Sequence, residues 1–210
     1  RKIMKIDDIL TLGPVMPVIV IDEAEHAVAL ADALLAGGIR TIEVTLRTDA
    51  ALDAVRAIRD ARPDMVVGVG TIISPALARA AISAGAQFGV SPGATDAVLD
   101  GCEAAGLPLL PGATTVSEMM RLAERGYNRL KFFPATAAGG PAFLKSLISP
   151  LPDLRFCPTG GITESTAPDW LSLANIPCLG GSWIAPAGDI KSGDFAGITA
   201  RALKASRLGG

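Results

Sequence analysis

The sequence predicts an α/β fold of the (β/α)8 TIM-barrel class, one domain spanning residues 1–210, and three observations lead there. Short β-branched runs alternate with longer alanine- and leucine-rich stretches, glycine or proline punctuates the joins, and eight such alternations follow one another. No linker, low-complexity tract or charge run divides them. A doubly wound open sheet would alternate in the same way, but the glycine fingerprint expected after its first strand is missing.

In chain order, a short helix over residues 5–12 precedes the first strand and closes the bottom of the barrel. Strands are predicted over 15–21, 41–45, 65–70, 88–91, 108–111, 129–133, 155–158 and 177–179. Helices are predicted over 25–36, 49–60, 75–84, 95–105, 116–125, 142–147, 164–174 and 195–206. Ser74-Pro75 has the form of an N-cap followed by proline in the first helical turn, and Gly37-Gly38, Gly85, Gly106 and Gly126 have the form of helix terminators.

A chain of 210 residues suits one medium-sized domain with a substantial core. Half the residues are hydrophobic, yet no run approaches the roughly 18 consecutive apolar residues that span a bilayer, and no basic-then-apolar leader opens the chain. The expectation is a soluble, cytoplasmic protein with no membrane partner. A net charge of -2 argues against a nucleic-acid partner held by bulk electrostatics and leaves small anionic ligands open. Cys102, Cys157 and Cys178 form no C-x-x-C pair and fit reduced structural thiols.

One residue stands out chemically. Lys131 lies inside Leu130-Lys131-Phe132-Phe133-Pro134, a strand apolar enough to exclude an unpaired ammonium. The other lysines (Lys2, Lys5, Lys145, Lys191, Lys204) lie near the termini, in helical stretches or in loops. Strand residues two apart share a face, so Lys131 and Phe133 point into the barrel while Leu130 and Phe132 point out. By the same rule Thr41, Glu43 and Thr45 point in, and Ile42 and Val44 point out. A buried carboxylate and a buried amine in one interior have two readings. One is a structural ion pair. The other is an amine nucleophile with a carboxylate proton shuttle, the amine losing its proton more readily in an apolar site with a cationic neighbour such as Arg47.

In this architecture chemistry gathers at the carboxyl ends of the strands. The predicted ends carry Glu43 leading to Arg47, then Gly70-Thr71, Ser91-Pro92-Gly93, Pro111-Gly112, Lys131 with Phe133, Thr159-Gly160-Gly161 and Gly180-Gly181-Ser182. Bare amides at two successive strand ends, the first just before a helix start, suit a phosphate group. Gly160, Gly161, Gly181 and Ser182 are the candidates. An arginine fork with a nearby hydroxyl, Arg47 with Thr71, can hold a carboxylate and orient a keto acid, although a surface salt bridge of Arg47 to Asp49 or Asp53 and a capping role for Thr71 are the plainer readings. His26, the only histidine, is read as an exposed helical residue on the amino side of the barrel. Without a rim histidine, a Ser-His-Asp mechanism and a histidine-rich metal site lose their usual groups, and acid/base work falls to Glu43. Trp170, Trp183 and Phe143 read as packing residues or interface anchors.

Taken together, Glu43-Val44-Thr45-Leu46-Arg47-Thr48, Ser91-Pro92-Gly93, Lys131-Phe132-Phe133-Pro134-Ala135, Phe156-Cys157-Pro158-Thr159-Gly160-Gly161-Ile162 and Gly180-Gly181-Ser182-Trp183 resemble the 2-keto-3-deoxy-6-phosphogluconate (KDPG) aldolases, a family also active on 4-hydroxy-2-oxoglutarate. The resemblance runs over residues 14–190. It implies a class I aldolase of the Entner–Doudoroff pathway, a homotrimer of barrels that needs no metal and no external cofactor. It also implies that Lys131 forms a Schiff base with pyruvate, that Glu43 is the acid/base working through a water, and that Arg47 binds the pyruvyl carboxylate with Thr71. Thr159 matches a residue that influences stereochemistry, Pro92 and Phe133 match pocket residues, and Gly160, Gly161, Gly181 and Ser182 match phosphate contacts. The family commonly has glutamate at Thr136, alanine at Val69 and a Ser-Thr pair at Thr114-Thr115; these departures bear on the choice between gluconate- and galactonate-derived epimers. Two rivals remain: a sugar-phosphate isomerase or epimerase, in which Lys131 only pairs with Glu43, and a catalytically silent barrel that binds a phosphorylated metabolite.

Overall fold

Each β-branched run is short because glycine, proline or a helix cap soon ends it, and a computed structural model, which describes residues 4–209, turns these runs into parallel strands. Lys2 lies outside the described residues. The chain runs through α1 (Ile6–Leu10), β1 (Val15–Ile19), a 3₁₀ turn (Ala24–His26) leading into α2 (Ala27–Ala36), β2 (Thr41–Thr45), α3 (Ala51–Ala61), β3 (Val66–Gly70), α4 (Pro75–Ser83), β4 (Phe88–Val90), α5 (Asp96–Ala105) and β5 (Leu109–Leu110). It continues through β6 (Gly112–Ala113), α6 (Val116–Glu124), β7 (Arg129–Phe132), α7 (Gly140–Ser146), β8 (Arg155–Pro158), α8 (Ala167–Leu171), β9 (Leu179–Gly181), α9 (Ala187–Ser192) and α10 (Phe195–Ala205). The caps act where expected: Ser74 accepts from the Leu77 amide at 3.3 Å, and Gly106 ends α5 in the left-handed region.

Six strands, in the order β5-β4-β3-β2-β1-β9, form one parallel sheet that curls into a half-barrel, and β6-β7-β8 form a second parallel sheet. Two seams bring the sheets together. Thr159, just past β8, bridges to Gly180 of β9. On the other side the Lys131 amide donates to the Pro111 carbonyl at 2.8 Å, and β6 pairs with β7 through Gly112 and Lys131.

The period-2 alternation sorts the core into two layers. Ile42, Val44, Val67, Val69, Leu130, Phe132 and Phe156 pack with helix residues such as Leu30, Val55, Leu99 and Trp170. A second cluster holds Ile9 and Leu10 of α1 against Met16, Phe88, Val90, Leu110, Cys157 and Cys178. The short leading helix therefore plugs the amino end of the strands, as the sequence suggests. The three cysteines are buried and free. Burial, then Glu103, pushes the Cys102 thiol up to about 11, and a hydrogen bond with Cys157, then burial, raises Cys178 well above the ordinary thiol value.

The differences have identifiable causes. The fifth strand is expected over 108–111 but breaks at Pro111, which has no amide to give, and resumes as β6 with a different partner. The helix expected over 164–174 shrinks to α8 because the Thr163, Ser165 and Thr166 hydroxyls bond to one another and to nearby backbone, competing with the helical ladder. Helix α9, bracketed by Pro186 and Gly193, is too short for a periodic signal. The placement of His26 on the amino side is corrected: a helix that follows a strand must begin at that strand's carboxyl end, so His26 lies on the same end as the rim. Its ring is only partly exposed, 3.2 Å from a Glu23 carboxylate oxygen and 6.2 Å, centroid to centroid, from Phe195.

Candidate active site

Strand pleating carries Glu43 of β2 and Lys131 of β7 into the interior, where they are 2% and 4% exposed. Lys131 Nζ lies 3.4 Å from Glu43 Oε1, a buried ion pair. Pairing is what lets an otherwise apolar strand carry a lysine, because an unpaired buried ammonium costs several kcal/mol or more. Lys131 Nζ also sits 5.3 Å from the centre of the Phe133 ring. Lys131, Phe133 and Glu43 are thus gathered at one point, as alternation predicts.

Arg47 is exposed and donates from Nε to Thr71 Oγ1 at 3.4 Å, so the expected partnership of fork and hydroxyl forms. The acidic side chain paired with Lys131 is Glu43. Thr71 is held at φ 65°, and it is the one non-glycine residue at positive φ among those described. Such a conformation costs about 1–3 kcal/mol and persists only where its surroundings fix it.

The glycine loops follow the same rim. Gly160 and Gly161 adopt φ of 107° and 75°, a region that favours glycine, and the Ala135 and Thr136 amides donate to the Thr159 and Gly160 carbonyls at 2.9 and 3.1 Å. Thr159 is buried, and a Cβ on Gly180 would fall 2.3 Å from its hydroxyl oxygen. Gly181 is buried beneath the Trp183 ring, and Ser182 is exposed. No helix opens directly after Gly161; the hydroxyl turn at 163–166 separates it from α8. Pro92 is half-buried, and its carbonyl comes so near Gly112 that a Cβ there would lie 2.2 Å from the oxygen.

Of the two tryptophans, Trp170 is fully in the core and Trp183 packs against it from the rim; Phe143 stacks on Phe132 at 5.3 Å. Ligand atoms of Glu23, Glu25 and His26 lie within 4.8 Å of one another, and none of the three is a predicted site residue. Two supports were not picked out from sequence. Thr45 donates to the Ile19 carbonyl at 2.7 Å, and Thr114 donates to the Phe133 carbonyl at 2.6 Å, fixing the ends of β2 and β7. A hydroxyl at the last position of a strand, for Thr45, or just past one, for Thr114, was the available signal.

The family model "KDPG and KHG aldolase" matches residues 6–201. The chain belongs to this family. The KHG/KDPG aldolase of Escherichia coli strain K12 is 47% identical over 199 residues, covering 95% of this chain and 93% of the relative. A crystal structure of the KDPG aldolase from Legionella pneumophila, with pyruvate captured at low pH as a covalent carbinolamine intermediate, superposes with a TM-score of 0.94 at 43% identity, covering 97% of this chain and 98% of the other. The Zymomonas mobilis ZM4 KDPG aldolase, solved with 3-phosphoglycerate, gives a TM-score of 0.92 at 43% identity, covering 99% and 97%. The activity of this KDPG and KHG aldolase family member is that of a lyase acting on 2-dehydro-3-deoxy-phosphogluconate.

Proposed function

We propose that this chain is a Schiff-base aldolase in which Lys131 is the nucleophile and Glu43 the acid/base, converting 2-dehydro-3-deoxy-6-phosphogluconate into pyruvate and glyceraldehyde 3-phosphate. The observation that carries the reading is the buried pair itself, Nζ to Oε1 at 3.4 Å between β7 and β2. Proton transfer from the ammonium to the carboxylate within that pair frees the amine lone pair for attack on the C2 ketone. Glu43 gives that proton to the departing hydroxyl, so that loss of water from the carbinolamine leaves an iminium and an ionised Glu43. Cleavage of the C3–C4 bond sends its electron pair into that iminium, forming an enamine, while Glu43, through a water, takes the C4 hydroxyl proton as the aldehyde forms. Glu43 returns a proton to the enamine carbon, and hydrolysis of the resulting iminium releases pyruvate and restores Lys131.

Around this pair, Arg47 and Thr71 hold the pyruvyl carboxylate, Pro92 and Phe133 line the pocket, and Thr159 guides stereochemistry at the new carbinol carbon. Gly160, Gly161, Gly181 and Ser182 receive the phosphate; the support is the left-handed glycine backbone at 160 and 161 and the relative solved with 3-phosphoglycerate. The same pair cleaves 4-hydroxy-2-oxoglutarate to pyruvate and glyoxylate as a side activity. The two sheets are read as one closed (β/α)8 barrel and a single domain, β5 and β6 being two halves of one strand, on the strength of the two seams. A homotrimer in the cytoplasm completes the reading: exposed Ile73 and Met120 offer apolar surface for self-contact, and no described helix is long and apolar enough to cross a membrane.

Borohydride added with pyruvate, followed by peptide mass spectrometry, tests the reading. The expected result is one reduced pyruvyl adduct, on Lys131. An unmodified Lys131 in a protein that still turns over substrate overturns the nucleophile and favours the isomerase-type alternative, in which the pair is only electrostatic.

A further inference from the structure

We propose that Gly70 is a positioning residue for the acid/base carboxylate, its missing side chain being the space in which the Glu43 oxygen sits; the inference rests on the proposed function. A Cβ built on Gly70 would lie 2.1 Å from Glu43 Oε1, 2.8 Å from Cδ and 2.9 Å from Cγ. That same Oε1 is the atom 3.4 Å from Lys131 Nζ. Gly70 is not among the glycines at positive φ, so its backbone accepts any L-residue, and space alone calls for glycine here.

Strand pairing shows how the carboxylate comes to lie there. The register partner of Glu43 is Gly68, and Gly70 stands one pleat further along β3, opposite Thr45. The level of Gly68 is already occupied, since a Cβ there would meet the Phe88 ring at 2.2 Å. The Glu43 side chain therefore leans toward the carboxyl end of the sheet, across the bare Cα of Gly70, and this lean is what brings Oε1 to the lysine. The surface it rests on is fixed: the Gly70 carbonyl accepts from the Leu46 amide at 3.0 Å, and the next residue is the constrained Thr71. A methyl at position 70 meets a flexible side chain rather than backbone, so the fold accommodates it by moving the carboxylate off the amine. An error of about 1 Å in a catalytic group costs on the order of 100-fold in rate.

The test compares Gly70→Ala in two backgrounds. In the unaltered chain, Gly70→Ala lowers kcat about 100-fold with KM changed less than about 3-fold, while borohydride still traps pyruvate on Lys131. In the Glu43→Gln background the same methyl costs less than about 3-fold, because the group it displaces no longer moves protons. An unchanged kcat in Gly70→Ala, or an equal fold-loss in both backgrounds, overturns the inference. If Gly70→Ala does not fold, Gly70→Ala/Glu43→Ala restores the folding of Glu43→Ala, since the methyl's opponent has been removed; a double variant that stays unfolded overturns it. Failure of trapping in the unaltered chain is a different result and overturns the proposed function itself.

Discussion

The floor and the rim of the strand assembly are equally dry and chemically opposite. On the floor, Phe88, Val90 and Cys178 are 0% exposed and pack with apolar groups, the Cys157 thiol and the plugging residues of α1. At the rim, Glu43, Lys131 and Thr159 are 2, 4 and 7% exposed, yet each brings a polar atom into the interior. The same strands supply both: β8 passes from Cys157 in the floor to Thr159 at the rim within two residues, and Lys131 stands in register with Cys157. Backbone conformation divides along the same line, for Thr71, Gly160 and Gly161 take positive φ whereas no floor residue does. Depth of burial therefore does not mark the site. What marks it is burial that leaves a demand which the folded chain meets with a single partner, as Lys131 does with Glu43.

The largest expected effect comes from breaking that partnership. Lys131→Met keeps the length of the side chain and removes the nucleophile, so cleavage falls by at least about 10⁴-fold. It also leaves Glu43 buried without a cation, which destabilises by about 3–5 kcal/mol. Urea unfolding of Lys131→Met and of Lys131→Met/Glu43→Gln separates the two consequences: the double variant recovers stability and no activity. A single variant that retains turnover would remove the rim's claim to the chemistry.

Next in size is the floor. Leu10 of α1 is 1% exposed and fills the interior from the amino end, in one cluster with Met16, Phe88 and Cys178. Leu10→Ala lowers unfolding free energy by about 2–5 kcal/mol through the cavity it leaves. Because the loss falls on packing, kcat per folded molecule at low temperature stays within about 3-fold of the unaltered chain. A fall in kcat well beyond that, measured on the folded fraction, would show that floor and rim are one mechanical unit and would break the comparison.

The legible part of the molecule was the part governed by period and polarity. A lysine in an apolar run and a glutamate two residues from an inward threonine are visible because alternation assigns faces without any knowledge of the partner strand, and the structure joins the two. The helix caps were legible because they are local. The break at Pro111 was not, since whether a proline interrupts a strand or ends it depends on which neighbour offers the next hydrogen bond. His26 was misplaced for a different reason: its end of the molecule follows from chain direction, which topology settles and residue type does not. Gly70 looked like one more strand-terminal glycine. Its distinguishing property, the distance from its absent Cβ to Glu43, exists only once β2 and β3 are paired.

The smallest expected effect sharpens the contrast at the edge of the rim. Glu118 in the first turn of α6 accepts from the Thr114 and Thr115 amides at 2.9 and 2.8 Å, while Thr115 Oγ1 accepts from the Glu118 amide at 3.3 Å, a reciprocal cap. The Thr114 amide first, then that of Thr115, holds the Glu118 carboxyl below its ordinary value of 4.5. A depressed carboxyl binds fewer protons in the folded chain than in the unfolded one, so its contribution is complete above the ordinary value and is lost as pH falls through the folded one. Glu118→Gln, which stays neutral at every pH, is accordingly less stable than the unaltered chain by about 0.5–1 kcal/mol at pH 7. The gap closes as the pH is lowered past 4.5 toward the depressed value. Paired urea titrations across that range check it: a gap that does not change with pH would place the stabilisation in the shape of the cap rather than in its charge, and the first turn of α6 would then belong with the uncharged packing of the floor.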